Sequence, residues 1–159
     1  PLNVTTDDQD ASKIDIQNLK PFTLYRVTVQ VISRAGISDF SDPKYEKTFP
    51  GTPSVPRKVM VMDVNSSAIQ LTWKVPAKTN GVISHYFVYY RNFLEKVIAI
   101  PAEETYSVAL WQGVKSYTNY SISVTACNDK LCSSPSVTVY GMTCIDAPGV
   151  MMEPYVVDV

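Results

Sequence analysis

Val114-Lys115-Ser116-Tyr117-Thr118-Asn119-Tyr120-Ser121-Ile122-Ser123-Val124-Thr125-Ala126 alternates apolar and small polar residues over its last seven positions, and Leu19-Lys20-Pro21-Phe22-Thr23-Leu24-Tyr25-Arg26-Val27-Thr28-Val29-Gln30-Val31 has the same plan 95 residues earlier. A period of two places successive side chains on opposite faces, so each stretch reads as a strand buried on one side. The likeness is not confined to these thirteen residues. Shifting the chain by 95 leaves 159 − 95 = 64 overlapping positions, of which 15 are identical, including Gln17/Gln112, Thr23/Thr118, Tyr25/Tyr120, Val29/Val124, Ser41/Ser136, Tyr45/Tyr140, Thr48/Thr143 and Pro53/Pro148. A repeat this long is a domain with its own core rather than a solenoid unit.

The period divides the chain into residues 1–49, the back part of one copy; 50–145, a complete copy; and 146–159, the opening of a third. About 95 residues suffice for a single core, whereas the two fragments are expected to be poorly ordered or to depend on neighbours. Within the complete copy, Ile69, Leu71 and Trp73 alternate with Gln70 and Thr72, and Tyr86, Val88 and Tyr90 with Phe87 and Tyr89. Tyr120, Ile122, Val124 and Ala126 follow, then Val137 and Val139 as further inward positions. Breakers fall at Pro76 to Gly81, at Pro101 and at Asn128 to Lys130, and no window carries a helical stripe. Short strands at this spacing predict an all-β antiparallel sandwich.

Composition removes several function classes. The chain is 45% hydrophobic and 18% charged with net charge −1, so nothing draws it electrostatically to nucleic acid or anionic lipid. His85 is the one histidine and is expected to face outward beside Phe87 and Tyr89. Glu103-Glu104 are adjacent, and on an extended chain neighbours point to opposite faces. No nucleophile elbow, Gly-rich phosphate loop or metal-ligand cluster is present in the sequence. The chain therefore reads as non-catalytic, with no cofactor, no metal and no small-molecule substrate.

The ordered set Pro53, Pro56, Trp73, Pro76…Asn80-Gly81…Tyr86-x-Val88-x-Tyr90 and Val114…Thr118-x-Tyr120-x-Ile122-x-Val124-x-Ala126 resembles the fibronectin type III domain, over essentially the whole chain. The resemblance implies tandem immunoglobulin-like sandwiches, one complete and two partial, with Trp73 in the core. It also gives Tyr25 and Tyr120 the corner role, in which the hydroxyl bonds back to nearby backbone. Val114 and Ser116 depart from the usual Leu and Pro, and the expectation is a looser second corner.

Cys127 is out of phase with the inward residues, and Cys132 lies past the Asn128–Leu131 turn, so both are expected on the outer face of one hairpin. The 95-residue shift maps them onto Ile32 and Ile37. A disulfide closing so short a loop stabilises by about 2 kcal/mol. Two reduced thiols in a cytosolic domain remain an alternative; a metal site is disfavoured because His85 is distant in sequence. Cys144, aligned with Phe49, is either a buried free thiol or the partner of a cysteine further along. The sequons Asn3-Val4-Thr5, Asn65-Ser66-Ser67 and Asn119-Tyr120-Ser121 agree with the disulfide in favouring a secretory route, with Asn65 in a turn and Asn119 in the bend before the corner Tyr.

The cysteine pair also resembles repeats of large receptor ectodomains, such as Sevenless/ROS receptor kinases, receptor tyrosine phosphatases and usherin. This implies an extracellular recognition and spacer module of a membrane-anchored protein, whose partners are protein ligands or neighbouring domains. The competing reading is a cytosolic array like those of giant muscle proteins. Outward Phe87, Tyr89 and Arg91, expected beside Ser121, Ser123 and Thr125, form one candidate partner surface, and the turn residues Asn128, Asp129 and Lys130 another. No Arg-Gly-Asp occurs, so integrin binding by that tripeptide is not supported. The run Phe49-Pro50-Gly51-Thr52-Pro53-Ser54-Val55-Pro56 is stiffened by its prolines and predicts a semi-rigid rod.

Overall fold

A computed structural model of the chain describes residues 3–7, 12–91, 95–101, 108–110, 113–129 and 131–147. Glu103, Glu104, Lys130 and residues 148–159, most of the predicted third copy, lie outside the described residues. All regular structure among the described residues is β. Arg57–Val64 (β5), Ile69–Lys74 (β6) and Val108–Leu110 (β9) form one antiparallel sheet in the order β5-β6-β9. The second sheet is centred on Asn119–Asn128 (β10). One edge of β10 pairs with His85–Arg91 (β7), which pairs in turn with Glu95–Pro101 (β8); the other edge takes Leu131–Cys132 (β11) and Val139–Met142 (β12).

The two sheets face each other through the residues that the period-two pattern selects. Ile69, Leu71 and Trp73 of β6 meet Tyr86, Val88 and Tyr90 of β7 and Tyr120, Ile122, Val124 and Ala126 of β10, with Ile100 and Leu110 completing the buried cluster. Trp73 and Tyr86 rings lie 5.4 Å apart, and Tyr90 and Tyr120 rings 6.3 Å apart, both tilted. Such aromatic contacts add about 1 kcal/mol each to the burial itself. Burial in this core, and then the Tyr120 phenol beside it, hold the Tyr90 hydroxyl above its ordinary pKa.

Val137 corrects the sequence reading: it is 85% exposed and lies outside any strand. Cys127 pairs with Cys132, whereas Ile122 pairs with Val139. From the first pair to the second, β10 advances 127 − 122 = 5 residues and its partner 139 − 132 = 7, so two residues are extra. The segment between has no regular ladder and is held by two backbone bonds, from the Ser133 N–H to the Ala126 carbonyl and from the Ser136 N–H to the Val124 carbonyl, each at 2.9 Å, together with the two serine side chains. Ser133 Oγ accepts from the Ala126 N–H at 3.1 Å and Ser136 Oγ from the Val124 N–H at 3.0 Å, while Pro135 has no N–H to offer a ladder. The inserted pair restores the parity, so Val139 returns to the core side.

The N-terminal region holds Leu24–Val27 (β1), Ile32–Ser33 (β2), Gly36–Ile37 (β3) and Lys44–Lys47 (β4); β1 pairs with β4 and β2 with β3. Its strand pairs lie 95 residues before those of β10 with β12 and β11: Leu24↔Lys47 corresponds to Asn119↔Met142, and Ile32↔Ile37 to Cys127↔Cys132. The backbone of residues 12–49 therefore follows the same course as that of β10 to β12.

Candidate functional site: hairpin, outer sheet and linker

Strands β10 and β11 meet through Asn128↔Leu131, so the ladder runs one pair further into the turn than the sequence implied. One step back, Cys127 and Cys132 face each other directly with Cα atoms 4.1 Å apart and are joined by a disulfide. Cys132 is exposed. Cys127 stands outside the interior cluster, as its phase requires, yet is only 1% exposed. It is flanked on both edges of β10, by Cys132 on one side and by His85 on the other. Distance in sequence therefore misled: one His85 ring nitrogen and the two sulfurs all lie within 4.8 Å of one another.

His85 begins an outward row along β7. Its ring meets Phe87 edge-on at 4.8 Å, and Phe87 meets Tyr89 at 6.4 Å, with Arg91 beyond them. Phe87, Tyr89 and Arg91 pair with Thr125, Ser123 and Ser121, the placement the sequence predicted. The Phe87 and Tyr89 side chains are half-buried, and Thr125 across from Phe87 is buried outright. Further along, Tyr89, Arg91, Ser121, Ser123, Pro135, Thr138 and Tyr140 line a shallow groove of about 410 Å³, with Tyr140 76% exposed on its rim.

Asn128 is not the loop-surface residue expected. It is 4% exposed and its Nδ2 donates to the Gly51 carbonyl at 2.8 Å. Gly51 N–H donates to the Asn80 carbonyl at 2.8 Å, and Asn80 Nδ2 returns to the Thr52 carbonyl at 2.7 Å. Two side-chain amides thus clasp the Pro-rich segment to the end of the sandwich, and Ser54 extends the clasp through Lys78. Glycine is required at both points of closest approach. A Cβ on Gly51 would stand 2.8 Å from Pro21 Cγ, and one on Gly81 would stand 2.7 Å from Asn128 Nδ2 and 3.1 Å from Pro50 Cβ. The sequence offered the prolines as the source of stiffness; the amides are the part it did not disclose. The signal was Asn80-Gly81 after Pro76, a turn pair whose Asn takes φ 49°.

The Tyr25 and Tyr120 hydroxyls accept from the Lys20 and Lys115 N–H groups, each at 2.8 Å. Equal lengths correct the expectation of a looser second corner. Asn3 and Asn65 are exposed. Asn65 sits in the turn between β5 and β6, its Oδ1 accepting from the Ala68 and Ser67 N–H groups at 2.6 and 2.8 Å. Asn119 is also exposed but belongs to β10, opposite Met142, rather than to the preceding bend. Cys144 is an exposed free thiol with its Sγ 3.4 Å from the Val64 carbonyl, which sets aside the buried alternative.

The model of the fibronectin type III domain matches residues 54–141, more than half of the chain. The chain belongs to the fibronectin type III family. A fibronectin type III chain of this kind is 31% identical over 163 residues to a cytokine receptor of Drosophila melanogaster, covering 93% of this chain and 12% of that protein. It is 30% identical over 136 residues to the putative receptor-type tyrosine-protein phosphatase mosPTP-1 of Aedes aegypti, covering 81% and 10%. To the cell adhesion molecule Dscam1 of Drosophila melanogaster it is 28% identical over 162 residues, covering 92% and 8%. The chain thus spans about a tenth of the length of these curated relatives. Among solved structures, domains d3-d4 of the rat CD45 extracellular region superpose with a TM-score of 0.71 at 16% identity, covering 90% of this chain and 76% of that one, a likeness of fold.

Proposed function

We propose that this chain is an extracellular recognition and spacer segment from the ectodomain of a cell-surface receptor or adhesion protein, itself membrane-anchored, with no catalysis in the segment. In this reading residues 1–49 are the C-terminal part of one fibronectin type III domain, 50–145 a complete domain and 146–159 the start of another. Any kinase or phosphatase domain lies elsewhere in the parent chain.

The observation that carries the proposal is the Cys127–Cys132 disulfide, because a crosslink on a surface hairpin persists in an oxidising compartment. The relatives support it, being receptors and an adhesion molecule. The cytosolic muscle-type array is less favoured on both grounds. Recognition is assigned to the outer sheet through Phe87, Tyr89 and Arg91, with Asp129 and Lys130 kept as a second candidate surface, and spacing to the Asn80 and Asn128 clasp. The test is peptide mapping, without reduction, of the protein from its native source. The expected result is a Cys127–Cys132 crosslink with glycan on Asn65 or Asn119. Alkylation of both cysteines without reduction, together with bare asparagines, overturns the reading.

A further inference from the structure

Cys132, Cys127 and His85 stand in one row across three adjacent strands, β11, β10 and β7, at directly paired positions. Their donor atoms already lie within 4.8 Å of one another. Two thiolates bound to zinc at about 2.3 Å sit about 3.8 Å apart in a tetrahedral site, a spacing that directly opposed cysteines reach by side-chain rotation once the S–S bond opens. A second observation prepares the imidazole. Ser84 Oγ lies 3.2 Å from the Cys127 carbonyl and 2.9 Å from His85 Nδ1. The Ser84 N–H also donates to that carbonyl, at 2.9 Å, so Ser84 is fixed to the Cys127 backbone and its hydroxyl holds the imidazole through Nδ1. A backbone-anchored group that orients a ligating histidine is the usual support of a metal site.

We infer that reduction of the Cys127–Cys132 disulfide converts this row into a three-ligand site for a soft divalent cation, Zn²⁺ first among them. A thiol reductant supplies the electrons: two thiols become one disulfide while the protein disulfide becomes two cysteine thiols. The cation then displaces the two thiol protons, which leave to solvent. His85 contributes its lone pair, and the fourth position stays open to water or an outside ligand. Exposure of Cys132 gives the reductant a sulfur to attack. The hairpin does not need the crosslink to persist, since Ile32 and Ile37 hold the same register 95 residues earlier.

The test uses the 159-residue chain in a Cys144→Ser background, reduced with a phosphine or left oxidised, and titrated with Co²⁺ followed by Zn²⁺ competition. The expected result is thiolate-to-cobalt absorption saturating at one equivalent in the reduced chain and absent from the oxidised one. His85→Ala should weaken binding at least about tenfold, and Ser84→Ala by about tenfold through loss of the hydrogen bond that orients the ring. Zn²⁺ should also raise the Tm of the reduced chain and leave that of the oxidised chain unchanged, a readout that holds even where reduction lowers stability. No uptake by the reduced chain, or equal affinity in His85→Ala, overturns the site.

Discussion

The described residues of 12–49 and of 108–144 share a set of side-chain-to-backbone hydrogen bonds and bury very different amounts of surface. In both, a Thr hydroxyl accepts from the backbone N–H of a second Thr: Thr48 from Thr23 at 3.0 Å and Thr143 from Thr118 at 2.9 Å. The same hydroxyls donate to Lys20 and Lys115 carbonyls at 2.7 and 2.6 Å. Ser41 and Ser136 cap Val29 and Val124, both at 3.0 Å, and the two-residue insertion recurs in each. Yet Val29 is 65% exposed and Val124 fully buried. The difference teaches that the frame is written locally, by Tyr, Thr and Ser at fixed offsets, whereas burial is supplied by the opposing sheet. A hydrogen bond exposed to water contributes little net, and burial is what makes its loss expensive.

The sharpest way to break the comparison is to truncate matched core positions. Ile122→Ala should cost about 3 kcal/mol, read from urea unfolding, while Val27→Ala, at the equivalent but exposed position, should stay within about 0.5 kcal/mol. Next comes the hairpin. Cys127→Ile with Cys132→Ile should leave the far-UV spectrum intact and lower stability by about 2 kcal/mol. The reciprocal Ile32→Cys with Ile37→Cys should crosslink in air, visible by mass spectrometry, because the register is identical. Thr143→Val should cost about 1 to 2 kcal/mol by orphaning the Thr118 N–H and Lys115 carbonyl, and Thr48→Val measurably less.

The smallest effect is alkaline. Because the folded-state pKa of Tyr90 is raised, by burial and then by Tyr120, the folded protein resists its ionisation. That contribution is fully present below the unfolded value near 10 and is lost as pH rises through the folded value. Urea midpoints should therefore be flat through pH 9 and fall above about 10, with Tyr90→Phe falling less steeply.

The sandwich was legible because each central strand keeps a strict period of two, so Ile69 to Trp73, Tyr86 to Tyr90 and Tyr120 to Ala126 declare their buried faces. Val137 was illegible for the same reason: alternation counts residues, and the serine-held insertion breaks the count without a marker beyond Pro135. The cysteine pairing followed from parity, but the approach of His85 depends on which strand flanks β10, which sequence distance cannot show. Asn128 was hidden likewise, since only the docking of Gly51 reveals that its amide turns inward. Repetition at 95 residues tied Ser41 to Ser136 and Thr48 to Thr143 in the sequence, but their role as backbone caps emerged only with the coordinates.

Residue-resolved amide hydrogen exchange on the whole chain tests most directly the claim that a locally written frame is stabilised by burial from outside it. The account predicts that Val124, Ala126 and Thr143 exchange only with global unfolding, while Val29, Val31 and Thr48, with the same bonds, exchange through local opening at least about a thousandfold faster. Equal protection in the two regions would contradict it.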